Sequence, residues 1–355
     1  MKKVLVLFGG VSSEHDVSTV SASSIIKNIP ADKYEVVPMG ITKDGKWFKY
    51  TGNVDLLPED KWLEDKENCI EAMISPSRND HGIIVFENGK VKKEYIDVVF
   101  PVLHGKNGED GTIQGYLQIS GIPFVGCDCV VSGICMDKTL TNIMIDAAHI
   151  NQAKWCQILK YKFKKDPEKY LTEAEEKLGY PIFVKPANAG SSVGISKAYD
   201  KKALKEAVEN AFIYDCKVVL EENIDAQEVE CAVLGNEDIF VATPGEIVPC
   251  NDFYDYDAKY ISSTSKLNIP AHISPKKLEE VKNAAREVYD FLGCSGLARV
   301  DFLVRRSDGA VMLNEPNTIP GFTSISMYPK MMESDGIRYG DLIDRLLRLA
   351  EEKWS

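Results

Sequence analysis

No apolar run in the chain approaches the roughly 20 residues needed to span a bilayer. The apolar stretch after Met1-Lys-Lys stops after five residues, which reads as a buried first strand and not as a secretory signal. There is no Cys-x-x-Cys pair; the nine cysteines are scattered. Cys127-x-Cys129 is a faint metal signal, outweighed by the reading of buried free thiols in a reducing cytosol. Positive charge is not in excess either. The net charge is −12, which argues against nucleic acid or an anionic membrane as the main partner. An anionic substrate would therefore need a local cluster of Lys and Arg. Repeats and low-complexity linkers are absent, and 355 residues leave room for two or three domains with a sizeable core.

What the chain does have is concentrated at 299–327. Arg299-Val-Asp301-Phe-Leu-Val, a turn at Ser307-Asp308-Gly309 and Val311-Met-Leu-Asn-Glu315-Pro-Asn317 predict two short antiparallel strands. Cross-strand pairing would bring Asp301, Glu315 and Asn317 to one face, with Arg299 beside them. Two carboxylates and an amide oxygen suit Mg²⁺ held together with nucleotide phosphates. A surface hairpin with scattered charges is the alternative.

Other segments supply a setting. Strand 3–8, Gly9-Gly10, a polar turn and a helix to about Asn28 open an α/β domain, whose ligands belong at the strand's carboxyl end. Glu14 there is either a grip for a cation or a first-turn acid favoured by the helix dipole. Gly40 to Trp47 mimics a phosphate loop but leads into a strand, so it reads as a hairpin turn. Residues 52–94 read as polar and irregular. A strand over 96–103 ends at His104 and a Gly-rich turn, and 121–126 closes the first domain with a last strand. Lys138 lies early in a helix over 136–148. Lys185 ends an apolar strand and precedes Ala189-Gly-Ser-Ser-Val-Gly194, whose backbone N–H groups could wrap phosphate. The edge Glu222 to Ile224 could read adenine and Glu228 could accept ribose hydroxyls, against an ordinary acidic bend between strands. Residues 251–270 form a long polar, aromatic loop of the kind used as a lid.

Taken in order, these motifs resemble the D-alanine–D-alanine ligase family over essentially the full length. They are Phe8-Gly-Gly-x-Ser-Ser-Glu14-His-Asp-Val-Ser18, Pro101-Val-Leu-His104-Gly…Gly108-Glu-Asp-Gly-Thr-Ile-Gln-Gly115, Met136-Asp-Lys138 and Val184-Lys-Pro…Gly-Ser-Ser-Val-Gly194. Phe253-Tyr-Asp-Tyr-x-Ala-Lys-Tyr260, Arg299-Val-Asp301 and Asn314-Glu-x-Asn-Thr-Ile-Pro-Gly-Phe-Thr323 complete the set. The resemblance implies an α/β ATP-grasp fold, α+β in its C-terminal part, behind a Rossmann-like N-terminal domain. Expected divisions are 1–126 for the first D-alanine, 127–216 for a central ATP-grasp subdomain and 217–355 for the C-terminal one with its lid.

The resemblance further implies ATP, two Mg²⁺ ions with Mn²⁺ as an alternative, D-alanine as substrate, an acyl-phosphate intermediate, peptidoglycan-precursor synthesis, a cytoplasmic place and a homodimer. Lys138, Lys185 and Lys259 would hold phosphates. Glu221, Glu222, Ile224, Glu228 and Ser191 would complete the ATP site, and Asp301, Glu315 and Asn317 would hold metal. Glu14 and His104 would position the first D-alanine, with Glu14 linked through Ser191 to Tyr260 on the lid. Arg299 and the Gly321 N–H would form the oxyanion hole, and Ser326 and Met327 would border the second amino acid. Met327 and Tyr260 favour D-alanine as acceptor, with a D-alanine–D-serine ligase as the alternative. An apolar pocket rejects an added hydroxyl by only about a hundredfold. The linker Asn151-Gln-Ala-Lys-Trp155 departs from the family pattern.

Overall fold

The strand Lys2–Gly9 is buried from Val4 onward because apolar residues fill both its faces, as expected of a parallel strand covered on both sides. It pairs in parallel with Tyr34–Ile41 and Val98–Pro101, so the loops after Gly9 and Pro101 emerge at the same end. In this computed structural model, which describes residues 1–190, 193–248, 266–323 and 325–354, those two loops carry Glu14 and His104. Helix His15–Asn28 begins directly after Glu14, and Gly40 to Trp47 is the expected hairpin turn.

Residues 52–94 are more regular than their polarity suggested. Cys69–Ile74, Gly82–Glu87 and Lys90–Tyr95 continue the sheet outward from Trp47–Tyr50 to make seven strands. The overlooked signal is Asn88-Gly89 between two alternating runs. Both residues have positive φ (52° and 72°), as a two-residue hairpin turn requires. The last strand expected at 121–126 is only an isolated bridge between Val99 and Phe124. The helix expected over 136–148 is Lys138–Ala147, capped by Asp137 through the N–H groups of Thr139 and Leu140, and the Cys-rich stretch before it forms a further helix, Cys129–Met136.

The central sheet is antiparallel, in the order Ser196–Ala198, Ile182–Pro186, Lys217–Glu222, Trp155–Leu159. Lys217–Glu222 is an inner strand of it, so the boundary expected at 216 moves past Glu222. The boundary at 127 also shifts. Cys127, Val131, Cys135 and Ile145 pack in the C-terminal core against Val281, Ala285 and Val300. That core lies under a sheet in which Ala226–Gly235 pairs with Gly296–Arg305, and the latter with Val311–Asn317.

The end of the chain returns to its beginning. Helices Met327–Ser334 and Tyr339–Trp354 share a core with Val4, Val6, Phe8 and Ile25. Polar ties reinforce the join: Tyr34 and Lys33 both reach Asp344, at 3.0 and 3.1 Å. The N-terminal sheet and the C-terminal sheet therefore share apolar packing, which fixes the distance between their loops. Among the described residues no helix is long and apolar enough to cross a membrane.

Candidate active site

The two C-terminal strands meet as expected, with Asp301 opposite Glu315 and Arg299 opposite Asn317. A bulge between Asp301 and Phe302 leaves Asn314 unmatched, and this extra residue turns Glu315 and Asn317 onto the face of Arg299 and Asp301. The Arg299 guanidinium grips Asp301 bidentately along one edge, Nε to Oδ1 at 2.8 Å and Nη2 to Oδ2 at 2.7 Å. Asn317 donates to Asp301 Oδ2 at 2.9 Å, which leaves its amide oxygen for a ligand. Burial works against the Arg299 charge, but Asp301 and then Glu230 outweigh it and hold its pKa well above the usual value.

One cleft gathers residues from all three sheets. It is lined by Glu14, His104 and Glu109 from the N-terminal body, Lys138, Ala189 and Gly190 from the middle, and Arg299, Glu315, Asn317, Gly321, Ser326 and Met327 from the C-terminal body. Lys138 joins them. Its ammonium donates to the Ala189 carbonyl at 2.9 Å and lies 3.7 Å from Glu315, while its N–H binds the Ala187 carbonyl. Asp137 beneath it is buried and pairs with Lys217 on the central sheet, so the start of this helix is anchored at the junction.

Glu14 is 4 % exposed, which weighs against the solvated first-turn acid. Gly190 passes so close that a Cβ there would lie 2.8 Å from Glu14 Oε1. His104 is buried with both nitrogens engaged. Nε2 is 3.2 Å from the Ser21 hydroxyl, and Nδ1 is 3.2 Å from the Ile319 carbonyl. Burial holds its ring below the ordinary pKa of 6.5, opposed by Glu14. Nδ1–H donating and Nε2 accepting is the neutral tautomer these partners call for. His104 thus fastens the loop that carries Gly321.

The remaining expected residues divide. Lys185 does not line the cleft; it pairs with Glu221 at 2.6 Å, and Glu221 keeps it protonated against burial, raising its pKa. Glu222 donates its N–H to the Lys154 carbonyl, and its side-chain Oε1 accepts the Lys154 N–H at 2.8 Å. Glu228 shares the ligand face two residues before Glu230. Ser326 accepts the Thr323 N–H at 3.0 Å, shaping the turn beside Gly321. Met327 is buried, and Ile247 and Leu267 join it in the cleft wall. Ser191, Lys259 and Tyr260 lie outside the described residues.

Sequence reading missed Glu109 and Glu230. Glu109 accepts the Gly105 N–H at 2.8 Å; burial, and next Glu14, push its pKa well above the usual carboxylate range. Glu230 was legible in principle, as a charged residue in register with Glu228 inside an apolar strand.

The donor set at Asp301, Glu315 and Asn317 is all hard oxygen, which fits Mg²⁺ and not a softer metal. The half-buried cations Lys138 and Arg299 stand beside it for phosphate, and Glu14 faces the same space for an ammonium.

Comparisons with known proteins agree with this chemistry. A family model described as the D-ala D-ala ligase N-terminus matches residues 3–127, and one described as the D-ala D-ala ligase C-terminus matches residues 144–348. The D-alanine–D-alanine ligase of Caldicellulosiruptor bescii is 50% identical over 351 residues, covering 99% of this chain and 95% of that protein. That of Acetivibrio thermocellus is also 50% identical, covering 100% and 97%. Among solved structures, the VanG D-Ala:D-Ser ligase from Enterococcus faecalis superposes with a TM-score of 0.90 at 41% identity, covering 98% of this chain and 99% of that one. The D-alanine–D-alanine ligase from Coxiella burnetii gives 0.86 at 30% identity, covering 100% and 96%.

Proposed function

The chain belongs to the D-alanine–D-alanine ligase family and is an ATP-dependent ligase of the ATP-grasp fold, and from that premise we propose how its own residues share the reaction. The observation that carries the proposal is the convergence of Glu14, Lys138 and the Arg299–Asp301–Asn317 group on one cleft.

The first D-alanine places its ammonium on Glu14 and aims its carboxylate at the γ-phosphate. Lys138 is a direct phosphate contact. Lys185, restrained by Glu221, adds charge from the central sheet, and Lys259 on the lid closes over both. Glu222, through its carbonyl, and Ile224 meet the adenine; Glu228 meets the ribose. Asp301, Glu315 and Asn317 would hold Mg²⁺, two ions with Mn²⁺ as an alternative, which would supply neutralisation of the phosphate charge. The carboxylate attacks phosphorus, ADP leaves and an acyl phosphate forms. The amine of the second D-alanine then attacks the carbonyl. Arg299 and the Gly321 N–H stabilise the oxyanion, and inorganic phosphate departs. Ser326 receives the acceptor carboxylate. Tyr260, linked to Glu14 through Ser191, holds the lid and excludes water. The product serves peptidoglycan-precursor synthesis in the cytoplasm, and the working unit is a homodimer.

Met327 decides the acceptor. Together with Ile247 and Leu267 it makes an apolar wall suited to a methyl group, and this favours D-alanine over D-serine. The test is phosphate release from Mg-ATP with and without millimolar D-alanine, followed by competition between D-alanine and D-serine read by product mass. Release that D-alanine does not raise would sink the reading. A predominantly D-alanyl-D-serine product would overturn the role given to Met327.

A further inference from the structure

Arg299 and Asp301 face a conflict. The proposed reaction needs Asp301 for a cation and Arg299 for an oxyanion, yet here the two are bound to each other by two N–H groups along the Nε–Nη2 edge of the guanidinium. A carboxylate drawn to Mg²⁺ offers less negative charge to its arginine, and the arriving cation repels the guanidinium. Without another anion, Arg299 would either hold Asp301 away from the metal or leave its place.

Glu230 stands where that anion is needed. It lies opposite Asp301 on the neighbouring strand Ala226–Gly235, so its side chain shares the ligand face. It is 8 % exposed and lines the same cleft. Its Oε2 is 3.2 Å from Arg299 Nε, the nitrogen that also donates to Asp301. The Nε–H is given to Asp301 and Glu230 meets the same nitrogen as an ion pair, so the guanidinium stands between two carboxylates, one of which can turn to a metal. We infer that Glu230 is a positioning residue, the counter-charge that keeps Arg299 in its oxyanion pose when Asp301 engages Mg²⁺. It lets one strand carry a metal ligand and a cationic donor two residues apart without either excluding the other. This rests on the roles proposed above for Arg299 and Asp301.

The test needs a readout apart from turnover. Mn²⁺ is titrated into the full-length protein with ADP, and free Mn²⁺ is measured by electron paramagnetic resonance. Glu230→Gln is expected to weaken Mn²⁺ binding about tenfold, the scale of coupling between charges in one network. The kcat should fall by about the same factor or more, while KM for ATP and D-alanine stays within roughly threefold. In an Arg299→Met background the same substitution should change Mn²⁺ binding less than about twofold, because no guanidinium competes for Asp301. Glu230→Asp, which keeps the charge, should recover most of the loss. Three results would overturn the inference: unchanged Mn²⁺ binding and kcat in Glu230→Gln, an equal loss of Mn²⁺ binding with and without Arg299, or equal losses in the Gln and Asp variants. If Glu230→Gln fails to fold, Arg299→Met/Glu230→Gln decides: folding of the pair supports the inference, and failure of both overturns it. Asp301→Asn separates this from the underlying reading. Wild-type Mn²⁺ affinity there would remove the metal site itself, whereas its loss beside an unchanged Glu230→Gln would remove only the inference.

Discussion

Two hairpins in this molecule alternate charge with apolar residues, and only one of them is a site. In the first, Gly82–Glu87 pairs with Lys90–Tyr95 at the edge of the N-terminal sheet. Lys92 meets Glu87 and Lys93 meets Asp80, but the outer strand is almost wholly exposed. Its lysines are an edge-strand protection against pairing with another chain. In the second, Gly296–Arg305 pairs with Val311–Asn317, and Arg299 and Asp301 are covered by loops from two other sheets. Water screens the first set of charges. In the second, where the Arg299 and Asp301 side chains are only 20% and 12% exposed, each charge is met by a partner, and removing one partner of a buried pair costs about 3–5 kcal/mol. The same local pattern has two meanings because one hairpin has a roof.

Asp301→Asn should have the largest effect, lowering kcat/KM on the order of a thousandfold, the scale of losing a group that stabilises transition-state charge. Steady-state phosphate release measures it; a change below tenfold would make the second hairpin as ornamental as the first. Gly190→Ala tests the roof. The added methyl must displace Glu14, and KM for the first D-alanine should rise roughly tenfold, since small misplacements are expensive in a positioned site. An unchanged KM would mean that Glu14 does not hold substrate in that pose.

The pH dependence of stability is a smaller effect with a definite sign. Burial lowers the His104 pKa below 6.5, so just below that pH the unfolded chain takes up a proton that the folded one refuses. Stability should therefore fall as pH drops through the window below 6.5. Glu109, whose pKa is raised, pulls the other way at acid pH. Comparing wild type with His104→Gln isolates the histidine: melting temperature against pH should be flatter in the variant, and parallel curves would exclude His104 as the group responsible. Lys92→Ala, on the exposed hairpin, should leave melting temperature and turnover within error. A measurable loss of either would break the contrast between the hairpins.

Much of the fold could be read locally. The first strand, the helix after Glu14 and the two C-terminal strands all follow from short-range pattern. The outer N-terminal strands were hidden because Lys90–Tyr95 buries little and its polarity mimics a loop. Glu230 could be noticed beside Glu228 in an apolar strand, but its partner Arg299 is brought to it only by strand pairing. The partners of Lys185 and Glu222, which are Glu221 and Lys154, could not be read from spacing along one strand.

By itself, the sequence determined which chemistries were available: hard oxygen ligands two residues from a guanidinium, lysines for phosphate, a Gly-rich approach to Glu14. It did so because residue type and spacing along one strand or turn set what that segment can present. Only the tertiary structure decided which of those groups face one another across one cleft. That convergence arises when the first and last parts of the chain share a core, and the packing turns a charged hairpin into a site.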